Sequence, residues 1–167
     1  TASLIHAAWQ DPQGKYAQDI IEKLKSNWLW AFNGLLYSPE DKGVYIQDRP
    51  TLTKGRVIMK RNDLVKRLEA QDPSVRFVPF VDYKTGEHTP SALAKNKFVQ
   101  ALATPEGAEK LAKIAEKYPI KPRVYARTED PVQEPTIRLS AVDSSWDDGR
   151  LGVYGCDLDD GADGCAL

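Results

Sequence analysis

The last 33 residues, 135–167, contain no Lys, Glu, Gln, Asn or Met, although the 134 residues before them contain 35 of these. All seven acids in this tail are Asp. A solvated acidic surface takes Glu as readily as Asp, so surface chemistry alone does not produce the drought. Asp differs from Glu, and Asn from Lys, only at the third codon base. A rule fixing that base as a pyrimidine removes Lys, Glu, Gln, Met and Trp together. A coding-level process therefore wrote part of the tail.

Other scarcities narrow the function classes. Two Cys are too few to define a disulfide framework. The two His, His6 and His88, stand in unrelated surroundings, without a G-x-S-x-G elbow or a Cys–His signature, which argues against a nucleophilic triad. A zinc site needs more clustered Cys and His than these. Gly161-Ala162-Asp163-Gly164 lacks the Lys and the strand–helix context of a phosphate loop. No apolar run approaches membrane-spanning length, and no charged-then-apolar signal segment opens the chain. The net charge of −1 divides into +4 over residues 1–134 and −5 over 135–167. Neither part is basic enough for a nucleic-acid binder, and the Lys residues interleave with Glu as on solvated helix faces.

What is present is an ordinary globular composition, 41% hydrophobic and 28% charged, over 167 residues, which predicts one domain with a real core. Residues 2–9 are apolar and short, a strand or a docking segment. Ala17, Ile20, Ile21 and Leu24 fall at i, i+3, i+4 and i+7 and predict an amphipathic helix over 15–26. Residues 28–37 are aromatic-rich and core-forming, and 35–38 with 44–47 flank P-E-D-K-G as a hairpin. A short strand is expected over 56–60. Asn62 is expected to cap a helix that turns Leu64, Val65 and Leu68 inward. Residues 75–80 predict a strand with Val75 and Phe77 on one face. Thr89-Pro90 and Thr104-Pro105 each place a capping hydroxyl before Pro at a first helical position, predicting helices over about 90–102 and 105–117. Strands are expected over 123–126, 137–142 and 150–154. Helices in the body with strands at both ends predict an α+β domain.

The tail admits competing chemistry. From Asp157, D-L-D-D-G-A-D-G clusters hard oxygen ligands at spacings near those of a calcium loop. Glycine stands where the third ligand belongs and the closing Glu is missing, which favours a solvated acidic loop. Cys156 and Cys165 bracket that loop, but both are letters the codon rule allows, which favours incidental thiols over a bridge. Trp28 and Trp30 read as core by their apolar context. Trp146 has no pyrimidine-ending codon, so it belongs to a fixed part of the tail, with packing as its role.

The tail S-W-D-D-G-R-L-G-V-Y-G-C-D from Ser145, closing on C-A-L at Leu167, resembles the C-terminal variable region of diversity-generating retroelement proteins. The body segments L-L-Y-S-P-E-D-K-G-V-Y-I-Q-D-R-P and D-P-S-V-R-F-V-P-F are similar to the archaeal (nanoarchaeal) branch of that family. In the family a reverse transcriptase copies a template while misreading adenines, so Asn codons scatter into pyrimidine-ending codons. The resemblance implies a C-type lectin-like fold, with helices packed on an antiparallel sheet and the variable side chains on one exposed face. It implies ligand binding without catalysis and without a cofactor. Trp146, Arg150, Leu151, Val153 and Leu167 are the implied framework. Alternation along residues 150–154 turns Leu151 and Val153 inward and Gly152 and Tyr154 outward. The candidate variable, ligand-binding residues are Asp143, Ser145, Asp147, Asp148, Gly152, Tyr154, Cys156, Asp157, Asp159, Asp160, Ala162, Asp163 and Cys165, within a variable region spanning 142–165. Asn, the family's parental residue, occupies none of them.

Sugar-binding C-type lectins hold calcium with Glu-Pro-Asn and Trp-Asn-Asp motifs. Here Glu134-Pro135-Thr136 and Trp146-Asp147-Asp148 depart from both. Thr replaces the amide ligand, and a metal held through a varying Asp147 would lose its ligand. The expectation is instead a macromolecular ligand, a protein on another cell or virus surface, met by a chain at the cell surface or outside the cell. Many Asp and one aromatic, Tyr154, predict a basic or amine-rich ligand and salt-sensitive association. The alternatives are a calcium-dependent carbohydrate-binding lectin and a hydrolase using Asp143 with Asp147 or Asp148 for acid–base work.

Overall fold

A computed structural model of the chain describes residues 1–26, 28–54, 56–128, 133–145, 149–155 and 164–165. Two helices open it, α1 (Ala2–Gln10) and α2 (Ala17–Ser26). The strand or docking segment expected over 2–9 is thus a helix. Ala2, Ile5 and Ala8 form its buried stripe, a helical spacing that a short run with few polar breaks does not reveal. The predicted helix over 15–26 is present and buries Ala17 and Leu24.

β1 (Trp28–Ser38) turns into β2 (Gly43–Asp48) as the expected antiparallel hairpin. Asp41 fastens the turn. It accepts from Ser38 Oγ at 2.7 Å and Arg61 Nε at 2.6 Å, while Arg61 Nη2 completes a fork on its second oxygen. The Arg61 hydrogen bonds hold the Asp41 carboxyl down at about 2. β3 (Thr51–Thr53) and β4 (Arg56–Ile58) pair as a separate two-stranded ribbon. α3 (Arg61–Glu69) follows, and Asn62 lies inside it instead of capping it. The reason is that Lys60 is extended and its carbonyl already accepts from the Asp63 and Leu64 amides.

β5 (Val75–Pro79) pairs antiparallel with β2 and leads through a 3-10 turn to β6 (Gly86–Glu87). The helix expected over 90–102 is two: α4 (Pro90–Lys95) and α5 (Lys97–Ala115). Asn96 breaks it with an extended backbone, its side-chain oxygen accepting from the Phe98 and Val99 amides to start α5. Both predicted threonine caps are present. Thr89 accepts from the Ala92 amide at 3.2 Å, and Thr104 from the Gly107 amide at 3.2 Å. Thr104 adopts φ 68°, ψ 161°, so α5 kinks there ahead of Pro105.

β7 (Arg123–Tyr125), β8 (Thr136–Ser145), β9 (Arg150–Tyr154) and β10 (Gly164–Cys165) complete an α+β structure. The main sheet runs β5-β2-β1-β8-β9-β7-β6, with β10 also on β1. β7–β9 and β1–β10 are parallel, so the sheet is mixed where an antiparallel one was expected. From β7 the chain runs to β8, which lies opposite in direction with one strand position left between them, and the β8–β9 hairpin folds β9 back into that gap, parallel to β7. One face packs on α1, α2, α4 and α5 through Ile5, Leu24, Leu93, Phe98, Leu111 and Val153. On the other face Leu36, Tyr45, Met59, Leu64 and Val75 gather with Val57, bringing in α3 and the β3–β4 ribbon.

Candidate functional site

The C-terminal hairpin pairs Val142 with Val153, Asp143 with Gly152, Ser144 with Leu151 and Ser145 with Arg150. Partners across a strand pair share a face, and successive residues alternate. Val142, Leu151 and Val153 enter the helix-side core, where Ser144 Oγ also donates to the Leu24 carbonyl at 3.1 Å. Asp143, Gly152 and Tyr154 turn the other way. β7 extends that second face, since Arg123 lies beside Gly152 and Tyr125 beside Tyr154. β6 adds Glu87 next to Arg123.

The expected opposition of Leu151 and Val153 to Gly152 and Tyr154 is present, but outward is not exposed. Tyr154 and Asp143 are each 7% exposed, and Gly152 is buried. The cause is an aromatic stack. The Tyr154 ring lies flat on Tyr125, centroids 4.4 Å apart and planes 6° from parallel. It also fills the space a side chain at 152 would take: a Cβ there would lie 2.3 Å from Tyr154 Cε2 and 2.7 Å from Asp143 Oδ1. Glycine thus seats the ring beside the Asp143 carboxylate. Burial, then the Asp143 charge and the Tyr125 hydroxyl, push the Tyr154 hydroxyl well above the ordinary tyrosine value. Such a phenol is a hydrogen-bond donor, not a base.

Around this stack the charges are mixed. The Arg123 guanidinium sits 5.1 Å from the Tyr125 ring centroid. Arg150, expected as framework, is 9% exposed and donates Nη1 to Glu87 Oε1 at 3.1 Å. Charges of both signs thus surround the stacked phenols.

Of the other candidates, Ser145 ends β8, and Cys165 lies in β10 beside Leu29, in a strand and not a loop. Asp147, Asp148, Cys156, Asp157, Asp159, Asp160, Ala162 and Asp163 lie outside the described residues, as do Trp146 and Leu167. The calcium-loop and Cys156–Cys165 readings fall largely there too. Among the described residues no three His, Cys, Asp or Glu are grouped to hold a metal ion. His88 is structural: its Nδ1 meets the Gly86 carbonyl at 2.8 Å, and Asn96 Nδ2 lies 3.0 Å from its Nε2. His6 lies on α1, 3.5 Å from Gln10.

Tyr125, Arg123 and Glu87 were missed from sequence. The alternation in R-V-Y places Arg123 and Tyr125 on one face, but their adjacency to β9 depends on the β8–β9 hairpin folding β9 in between β8 and β7, which no local pattern signals. No family model, curated protein or solved structure matches the chain.

Proposed function

We propose that the chain is a non-catalytic ligand-binding protein of the retroelement-diversified type, on a C-type lectin-like fold, with its C-terminal segment as the hypervariable surface. The carrying observation is where the amino-acid drought falls. It begins at β8 and runs through β9 to the end of the chain. Within that stretch, Val142, Leu151 and Val153 belong to the helix-side core, while Asp143, Gly152 and Tyr154 lie on the opposite face. Diversity is tolerable only at positions that do not set the fold, and a rigid sheet separates the two sets by period two. The partner on this reading is a macromolecule, a protein on another cell or virus surface.

Sequencing the gene's neighbourhood tests the proposal. The expected result is a reverse transcriptase and a near-copy of the 3′ end that differs from the gene only at adenines. Asn codons should stand in that copy at positions such as 143, 145, 152 and 154. A copy differing at other bases, or no copy, would sink the reading.

A further inference from the structure

We infer that the β3–β4 ribbon and α3 form a basic surface studded with exposed aliphatics, which seats the chain on a membrane of anionic lipid headgroups. The inference goes beyond the diversified-surface reading and does not depend on it. Residues 49–67 hold seven cations and one acid, a charge of +6 in a chain whose net charge is −1. Solvated faces elsewhere in the molecule balance their charges. Along α5, Glu106, Glu109 and Glu116 stand against Lys110, Lys113 and Lys117, with Lys110 paired to Glu106. On α2, Lys23 pairs with Asp19. Residues 51–58 contain no acid at all, so the ribbon is not a face of that kind.

Two of the seven cations are committed to the fold, Arg61 to Asp41 and Arg67 to Asp72. Arg49, Lys54, Arg56, Lys60 and Lys66 are exposed and form no ion pair among the described residues. Lys66 lies in the last turn of α3, where the helix end favours a cation. The ribbon cations have no such cause. Arg49 and Lys54 flank β3 with φ 49° and 51°, left-handed positions that favour Gly or Asn. Among these charges Leu52 is 62% exposed and Ile58 42%. Ile58 shares with Arg56 the ribbon face that meets Lys60 and Arg67 across a groove. Val57 and Met59 fasten the ribbon to the sheet in one cluster with Tyr45, Leu64 and Ile137.

Cations alone suit any polyanion. Nucleic-acid sites add side chains that stack on bases or read their edges, and residues 51–58 include no aromatic, Asn or Gln. Aliphatics projecting among cations fit the bilayer boundary, where hydrocarbon lies directly beneath phosphate. Ile137, at the ribbon end of β8, is six residues from Asp143 in the hairpin, about 20 Å along the strand. The two surfaces therefore do not overlap.

The test is sedimentation of the full chain with vesicles of equal parts phosphatidylglycerol and phosphatidylcholine, against vesicles of phosphatidylcholine alone. Binding should saturate on the anionic vesicles, be absent on the neutral ones and weaken with salt. Lys54→Gln with Arg56→Gln should weaken it about 25-fold, near fivefold for each cation, with Tm unchanged. Leu52→Ser with Ile58→Ser should weaken it about tenfold at constant charge. Lys113→Gln with Lys117→Gln, the same charge change made on α5, should alter it by less than about twofold. No binding to the anionic vesicles would overturn the inference. So would an equal loss in the α5 variant, because net charge and not this surface would then be responsible. Duplex DNA binding as tightly at matched phosphate concentration, with the Leu52 and Ile58 changes indifferent, would make the partner a nucleic acid and overturn the membrane assignment.

Discussion

The two faces of β9 are both buried, yet they are held in different ways. Leu151 and Val153, at 0% and 1% exposure, sit in a cluster fed by α1, α2, α5 and most strands of the main sheet. Gly152 and Tyr154 look onto a small cluster of Ala141, Tyr154 and Tyr125, closed by one ring stack and by a missing side chain. On the first face each side chain is fixed by neighbours from several elements that cannot move separately. On the second, the geometry depends on one ring lying where residue 152 has no Cβ. Burial alone therefore does not mark a residue as part of the fold's framework; the number of independent elements that grip it does.

Leu151→Ala is the strongest way to break this comparison. It removes a fully buried side chain from the interlocked face and should cost about 2–5 kcal/mol, read as a lowered urea midpoint with unchanged slope. A loss below about 1 kcal/mol would show that this face yields as easily as the other, and the distinction would be gone.

Gly152→Val attacks the second face. Its Cβ must displace the Tyr154 ring or the Asp143 carboxylate, at a cost of about 1–3 kcal/mol, with the molecule still folded. The sharper measurement is the ring itself. In the wild type the nuclear Overhauser contacts between the Tyr154 and Tyr125 rings should be strong, and in Gly152→Val they should vanish. Retained contacts would mean that the chain makes room for residue 152 by another route, and that glycine does not seat the ring.

Much of this arrangement was legible in the sequence, for identifiable reasons. The period-two alternation along β9 and the two Thr-Pro caps are local rules, and the structure obeys them. α1 reads from sequence as a strand or a docking segment because seven of its nine residues are Ala, Leu, Ile, His or Trp, which blurs any period. The split at Asn96 was missed because a side chain that caps the next helix also competes with the present one. The Tyr125–Tyr154 stack could not be foreseen, since it joins residues 29 positions apart through a parallel pairing.

The smallest expected effect isolates the Tyr154 hydroxyl. A tyrosine in the unfolded chain ionises near pH 10, whereas burial and the Asp143 charge hold Tyr154 protonated well above that in the native state. Its protonated form thus contributes stability that is fully present below about pH 10 and is lost as pH rises from there toward the folded value. Tyr45, pushed up to about 12 by burial and then Asp41, and Tyr118, raised by burial, act in the same direction. Wild type should therefore lose stability steeply between about pH 10 and 12. Tyr154→Phe keeps the ring stack and removes one titrating group. At pH 7 it should cost only about 1 kcal/mol for the lost hydrogen bond to the Asp143 carboxylate. Its alkaline limb should be shallower by close to one proton, measured as urea midpoints across that range. Equal slopes in the two proteins would place the Tyr154 hydroxyl in water, and the face beyond Gly152 would then be as open as alternation alone implies.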